Sequence, residues 1–341
     1  LISGGTASLS GSFLALRSPD EVLAPEGEVG QMKKVPLALL ACGVLAAASA
    51  ASAHAGMVAY GTDRTSTLYQ FDPMTGSVTS IGPLGIGPVT ALATDPVTKI
   101  LYTDPGGGER FSTPVSGCLY TVDRATGAAT LVGCDPNQGG RDPIAGLAFS
   151  PGGTFYGVRL ASNAAPNDNK MHLCRIDKET GVLTDIGLLD DWCYGYGSAF
   201  GTDGQLYTWS ACPGVGLLRV STADASRTVI GGTFKGFPET GGLRIPDMAL
   251  APNGVLWATV VGGDNPRSGV ANYYTGTVDT ATGDVTYVAT LPTSIQTIEF
   301  KPPAVPAPAL SGWALGLTAA ILAAVTALKL IRRKPTVSRG T

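Results

Sequence analysis

Chemistry in this chain has few residues to draw on. The 341 residues include two histidines, six cysteines and 26 acidic residues. His54 falls in a leader segment described below, which leaves His172, and one histidine cannot build a histidine-ligated zinc centre. A Ser-His-Asp triad would have to use His172, and no nucleophile-elbow motif accompanies it, so its expected place is a surface or strand edge. No glycine-rich phosphate loop precedes a helix; PGGGERF at 105–111 reads as a loop between strands. What remains is carboxylate chemistry. Hydrolysis of a glycoside generally needs two carboxylates at a defined separation, and the sequence nominates Asp247 with Asp142 as its partner. An oxygen-rich site for Ca²⁺ could use Asp190 and Asp191 or the Asn167-Asp168-Asn169 run, without EF-hand spacing to support it.

The elements that must position these residues are repeats. A hairpin built around D-x-x-T-G occurs as DPMTG at Asp72, DRATG at Asp123, DKETG at Asp177 and DTATG at Asp279, with a worn copy, TADAS, from Thr222. The Asp bonds its own turn backbone and the Gly supplies the left-handed position of a bulged loop. Its flanks alternate in strand fashion, as in Leu119-Tyr120-Thr121-Val122. A second hairpin begins at Leu92, Leu147, Ser198 and Met248, and a fifth copy starts at Ile298 but stops after one strand. Two hairpins per period of about 50 residues make four strands, the size of a β-propeller blade. The segments 57–63, 67–72 and 77–82 are three strands lacking an innermost partner, and 295–300 is an innermost strand lacking followers. Joined, they complete a fifth blade, so that first and last strands close the ring and leave no open sheet edge. The expected fold is therefore all-β, a five-bladed β-propeller spanning 56–303, with full blades at 89–133, 144–187, 194–232 and 245–291. These repeats resemble the broad YVTN/NHL/WD40-like class of secreted bacterial propellers, whose members include binders, scaffolds and enzymes.

Cysteine spacing checks the hairpin register. Cys118 and Cys134 flank DRATG symmetrically, and Cys193 and Cys212 flank GTDGQ symmetrically, so each pair should face across adjacent strands and form a disulfide. Cys174 is left as a small buried hydrophobe.

Composition and chain ends bound location. With 46 Gly, 24 Pro and 14% charged residues, the chain suits a turn-dense β protein. The body at 56–303 is acidic, with 15 Lys and Arg against 22 Asp and Glu, which argues against nucleic acid as a partner. Met32 opens a secretory signal at 32–55: Lys33 and Lys34, an apolar run forming the signal helix, and Ala53-His54-Ala55 before the cleavage point. Residues 1–31 precede a complete signal and are expected to be a disordered, over-extended gene start. At the other end a Pro/Ala linker (304–312) leads to an apolar transmembrane helix at 313–331, followed by a basic cytoplasmic tail, 332–341. Pro308, Leu310, Ser311 and Trp313, with Arg332 and Arg333 beyond the helix, resemble the IPTL-CTERM class of bacterial sorting signals, relatives of PEP-CTERM. Ala309 and Gly312 depart from that motif. The resemblance implies a Gram-negative source, export through the inner membrane, anchoring by the C-terminal helix, and processing by an exosortase-like protease. The body would end in the periplasm, on the outer surface or in the extracellular matrix.

Within the ring, turns inside hairpins are tight while connections on the opposite face are long. Those connections carry Arg141, Asp142, Asp190, Asp191, Trp192, Tyr194, Tyr196 and Arg244, with Asp247 beneath them. Aromatic and charged residues converging over a ring mouth form a surface for an extracellular polysaccharide or a surface protein. The residue immediately before each inner-strand start is Ala91, Gly146, Gly197, Asp247 or Thr297, small except for Asp247, as a tight five-fold axis demands. The sequence thus points to a non-enzymatic binding module without a cofactor. A hydrolase of glycans or lactones using mouth carboxylates, or a structural matrix component, stands as the alternative.

Overall fold

The computed structural model describes residues 57–105, 117–136, 144–161, 166–190, 197–239, 241–263 and 271–302. These residues form strands, turns and coil, with no α-helix. Among them no helix is long and apolar enough to cross a membrane. The signal at 32–55, the linker and the span at 313–331 lie outside the described residues.

The chain ends share one blade. Strands β1 (Ala59–Thr62), β2 (Thr67–Phe71) and β3 (Val78–Pro83) follow one another outward, and β21 (Glu299–Phe300) lies inside β1 as the innermost strand. Ala59 pairs with Phe300 and Tyr60 with Glu299, and the Lys301 amide donates to the Val58 carbonyl at 3.0 Å. The next blade is β4 (Ala91–Thr94), β5 (Leu101–Asp104), β6 (Cys118–Val122) and β7 (Ala129–Cys134). Then come β8 (Ile144–Phe149), β9 (Phe155–Ala161), β10 (Lys170–Ile176) and β11 (Leu183–Asp190). The third sequential blade is β12 (Ser198–Phe200), β13 (Leu206–Ser210), β14 (Gly216–Val220) and β15 (Arg227–Gly231). The last is β17 (Arg244–Leu250), β18 (Leu256–Gly262), β19 (Asn272–Val278) and β20 (Val285–Leu291), whose outer edge is covered by the short parallel strand β16 (Phe234–Lys235). Inner strands touch in the cyclic order β21, β4, β8, β12, β17 and back to β21, so the five blades close a ring.

Each hydrophobic cluster is a seam between neighbouring blades. Ala93, Tyr102 and Leu119 of the β4 blade, for example, meet Ile144, Leu147 and Phe155 of the β8 blade. The other four clusters fill the other four seams in the same way. The period-2 alternation of every strand explains this, since each blade must present one apolar face to each neighbour.

The D-x-x-T-G hairpins do more than turn the chain. The first Asp accepts a backbone N–H two residues on, as Asp123 does from Ala125 at 2.7 Å and Asp279 from Ala281 at 2.8 Å. The worn copy is shifted by one residue from its expected start. Ser221, not Thr222, takes the Asp position, because its Oγ accepts from the Ala223 amide at 3.3 Å and its carbonyl accepts from the Ala225 amide at 3.0 Å. Ala225 then occupies the glycine position with φ 60°. The turn glycine sits directly on the outer strand of the preceding blade. A Cβ on Gly127, where φ is +84°, would stand 2.5 Å from the Gly82 carbonyl oxygen. Gly181 meets Gly133 and Gly283 meets Gly231 in the same fashion, and Ala225 is accommodated because Gly187 lies opposite it. These backbone-to-backbone approaches repeat around the ring and set blade spacing.

The disulfide register is also confirmed. Cys118 and Cys134 are direct cross-strand partners and are bonded. Cys212 is disulfide-bonded as well, while Cys193, its expected partner, lies outside the described residues. Cys174 is free and buried, donating to the Gly157 carbonyl at 3.2 Å.

Because the glycine contact combines a left-handed backbone with a clash against main chain, Gly127→Ala should cost roughly 2–4 kcal/mol. Urea denaturation of the variant against the parent checks this. A surface Gly without neighbours, such as Gly204→Ala, should cost only the smaller penalty of its backbone angle.

Candidate functional site

Every inner strand runs from the face with long connections, the mouth, to the face with tight turns. Near the mouth the aligned residues are Ala91, Gly146, Gly197, Asp247 and Thr297. Two residues further on, and so on the same side of each strand, stand Ala93, Ala148, Ala199, Ala249 and Glu299. Each ring is therefore small-residued and carries one acid. Crowding at the axis explains the small residues: a Cβ on Gly197 would come within 2.7 Å of the Asp247 backbone.

Asp247 is fully buried. Its Oδ2 accepts from the Ile298 amide at 3.0 Å and the Leu92 amide at 3.3 Å, and its Oδ1 accepts from its neighbour Met248 at 3.0 Å. One carboxyl thus joins β17, β4 and the residue leading into β21, so it ties together three consecutive blades including the closing one. Burial pushes its pKa well above the usual carboxylate range, and the three amide donors oppose that shift without reversing it. Hydroxyls around this level are spent on main chain and on one another. Thr103 Oγ1 donates to the Ala91 carbonyl at 2.8 Å, Thr259 Oγ1 to the Gln296 carbonyl at 2.6 Å, and Thr62 Oγ1 lies 2.9 Å from Thr297 Oγ1.

Glu299 was not anticipated. Burial raises its carboxyl to about 8, against the opposing pull of the Phe300 amide, the Arg124 guanidinium and Thr94. Arg124 comes from the next blade's D-x-x-T-G turn, donating to the Lys99 carbonyl at 2.6 Å and Thr94 Oγ1 at 2.7 Å, and lying 5.5 Å from the centre of the Tyr60 ring. The alanine ring and Glu299 line a depression of about 410 Å³ that opens on the turn face and draws its walls from all five blades. Extending the repeat alignment by two residues past Asp247's position exposes Glu299 among four alanines, a signal present in the sequence but not read.

A second unanticipated acid is Asp104, at the end of β5 and paired with Ala91. It is fully buried, and neither oxygen reaches hydrogen-bond geometry with a partner. Burial pushes its pKa well above the usual range, partly offset by the facing Gly117 and Ile144 amides.

His172 is not at the surface as expected. It is 4% exposed on β10, with Nε2 3.0 Å from Asp168 Oδ2 and Nδ1 3.1 Å from Asp185 Oδ1, and Asp185 also meets Arg159 at 3.3 Å. The strand alternation places this imidazole inward, and two carboxylates compensate its burial. Asp168, the centre of the Asn167–Asn169 run, is committed to this contact and to the Lys170 amide at 3.0 Å. Burial lifts the Cys174 thiol beside it to about 12, which keeps it protonated. Among the described residues no group of three or more His, Cys, Asp or Glu side chains is placed to hold a metal ion.

Of the mouth residues nominated by sequence, Arg141, Asp142, Asp191, Trp192, Tyr194 and Tyr196 lie outside the described residues, and Asp190 is placed by its backbone alone, at the end of β11. Arg244 begins β17, half-buried and opposite Val261, three residues before the sealed Asp247.

No protein-family model matches the chain, and no curated protein matches it. Solved structures do. A Xanthomonas campestris gluconolactonase is 16% identical, with TM-score 0.41, covering 72% of this chain and 84% of that one. A nidogen/laminin complex gives 11% identity and TM-score 0.42, covering 71% and 97% respectively. Kuenenia stuttgartiensis hydrazine synthase gives 17% identity and TM-score 0.34 over 58% of this chain, and the match spans about half, 47%, of that chain.

Asp247→Ala leaves three buried amides without an acceptor, each worth about 1–3 kcal/mol, so the ring should lose about 3 kcal/mol or more in a denaturant titration. The pH dependence of Glu299 has a definite sign. Its folded pKa of about 8 lies above its ordinary value of 4.5, so the folded state holds a proton the unfolded chain releases. That stabilisation is complete below about pH 4.5 and is lost as pH rises through about 8. The difference in melting temperature between the parent and Glu299→Gln should therefore shift against the parent from pH 5 to pH 8 and level off above it.

Proposed function

We propose that this protein is an exported, surface-sorted propeller that acts as a non-enzymatic binding module, with its mouth turned to an extracellular polysaccharide or a surface protein. The observation that carries this reading is the state of Asp247. The one acid that sequence alignment places at the mouth-side ring is buried, and both of its oxygens are held by main-chain amides of three blades. A carboxylate spent on ring closure is not free to take a proton from water or to attack an anomeric carbon. The residues proposed for recognition are Trp192 and Tyr194 of the long connections, with Arg244 at the start of β17, where an aromatic face can stack on a sugar and an Arg can bind its hydroxyls or a carboxylate. Export through the signal at 32–55 and retention by the 313–331 helix, until a sorting protease acts near Pro308, would present that mouth outside the cell.

Hydrolysis of a glycan or lactone remains the second reading, and one observation favours it. Burial pushes the Asp104 pKa well above the usual carboxylate range, and neither oxygen reaches hydrogen-bond geometry with a protein partner, which is the direction a general acid requires.

Titrating the full chain with its own host's exopolysaccharide, while following reducing-sugar and acid release, separates the two. Saturable binding without product, weakened about tenfold or more by Trp192→Ala, is the expected result, an aromatic anchor being a common hot spot. Product release abolished by Asp104→Asn would transfer the assignment to the hydrolase.

A further inference from the structure

The depression on the turn face lies opposite the mouth and has no part in the reading above. Its floor is the ring of Ala93, Ala148, Ala199 and Ala249, each nearly fully buried, with Glu299 as the fifth member. Its wall is mainly apolar, including Phe149, Phe200 and Leu250 at the ends of their inner strands, with the hydroxyls of Thr94, Ser150 and Thr202 among them. Of the residues lining it, three are ionisable: Glu299 at the floor, and Lys99 and Lys301 toward the rim, the Lys99 ammonium donating one of its protons to the Pro96 carbonyl at 2.6 Å. The acidic side chains nearest the rim are engaged elsewhere. Asp95 is sealed against Lys178 at 2.6 Å, and Asp203 binds the Tyr207 hydroxyl at 2.8 Å. The depression is thus an apolar cup with two cations at its lip and a floor acid that carries its proton at neutral pH.

From this complementarity we infer that the axial cup binds an apolar monocarboxylate, its hydrocarbon body on the alanine floor and inner-strand walls and its carboxylate at the lip with Lys301 and Lys99. The volume, about 410 Å³, falls within the range of small-ligand pockets and admits an alkyl chain of modest length. An alkylammonium of the same length meets two like charges at the lip and a neutral acid within, so the site discriminates by sign. The groups that face Glu299 bear this out. Arg124 from the β6–β7 turn and Tyr60 from β1 lie on one side, Asp247 from β17 lies above, and the two lysines lie outward. Ionisation of Glu299 as pH rises through about 8 places a bare negative charge at the floor, against the ligand's apolar body and repelling its carboxylate. Affinity is therefore highest below that pH.

Octanoate, octanol and octylamine, each titrated calorimetrically into the full chain at pH 6.5 and pH 9.5, test the inference. Octanoate should bind, more tightly at pH 6.5, and octylamine should give no saturable heat. Lys301→Glu, an exposed change that leaves the ring intact, should weaken octanoate by about fivefold or more, the scale of one exposed charge contact with its sign reversed. Glu299→Gln should bind octanoate at both pH values with little difference between them. Preference for octylamine, uptake of octanoate unchanged by Lys301→Glu and by Lys99→Glu, or no heat with any of the three would each overturn the assignment. Because the cup and the mouth lie on opposite faces, loss of exopolysaccharide binding in Trp192→Ala with octanoate affinity intact keeps the two sites separate.

Discussion

Asp247 carries a carboxyl into the axis of the ring, where water does not reach, and three main-chain amides meet it there. Leu92 belongs to the first full blade, Met248 to the last, and Ile298 to the closing strand, so this one side chain spans the seam at which the chain's beginning and end come together. The closing strand itself is short. It offers two residue pairs to β1, Ala59 with Phe300 and Tyr60 with Glu299, too few to hold a ring by main-chain ladder alone. Supplementary bonds to that strand therefore matter more than bonds elsewhere. Asp247 supplies them from within, and Lys301 bonding Val58 supplies one from the turn face.

Blade spacing rests on a different contact repeated around the outside. The left-handed residue of each D-x-x-T-G turn approaches the main chain of the preceding blade, and neither partner has room for a side chain at Gly127 and Gly82 or at Gly181 and Gly133. Two constraints thus define the shape, with small residues at the axis and glycine at the circumference. Between them the five apolar seams fill with ordinary side chains whose identities vary freely from blade to blade, Phe155 in one and Trp257 in another. The fold tolerates wide sequence change for this reason, and fold resemblance says correspondingly little about what a propeller binds.

The two faces follow from the same geometry. Strands of a blade are joined inside hairpins on one side, where turn chemistry keeps loops short, and between hairpins on the other, where the chain is free to lengthen. Long connections gather at the mouth and carry the polar and aromatic residues, whereas the turn face keeps a shallow axial cup whose character is set by the inner strands alone. An acid at the floor of that cup and an acid sealed above it differ by two residues of strand register, yet one lines a cavity and the other closes the ring.

The sequence by itself determined the repeat, the four-stranded blade and the closure of the ring by its ends, because hairpin turns and strand alternation are local and their period is visible in residue types, whereas the extra edge strand β16 of the last blade falls outside that period. It also determined the Cys118–Cys134 pairing, since symmetry about a turn fixes which residues face each other. Tertiary structure alone decided what Asp247 does. Its acidity at a small-residue position reads equally as a catalytic group or a bolt, and only the amides of two other blades, 155 and 51 residues away, distinguish them. The same holds for His172, whose inward place depends on Asp168 and Asp185 arriving from a loop and a neighbouring strand. Burial of Asp104 and partial burial of Glu299 were hidden for a like reason: desolvation is a property of the surrounding packing, and no local stretch of residues carries it.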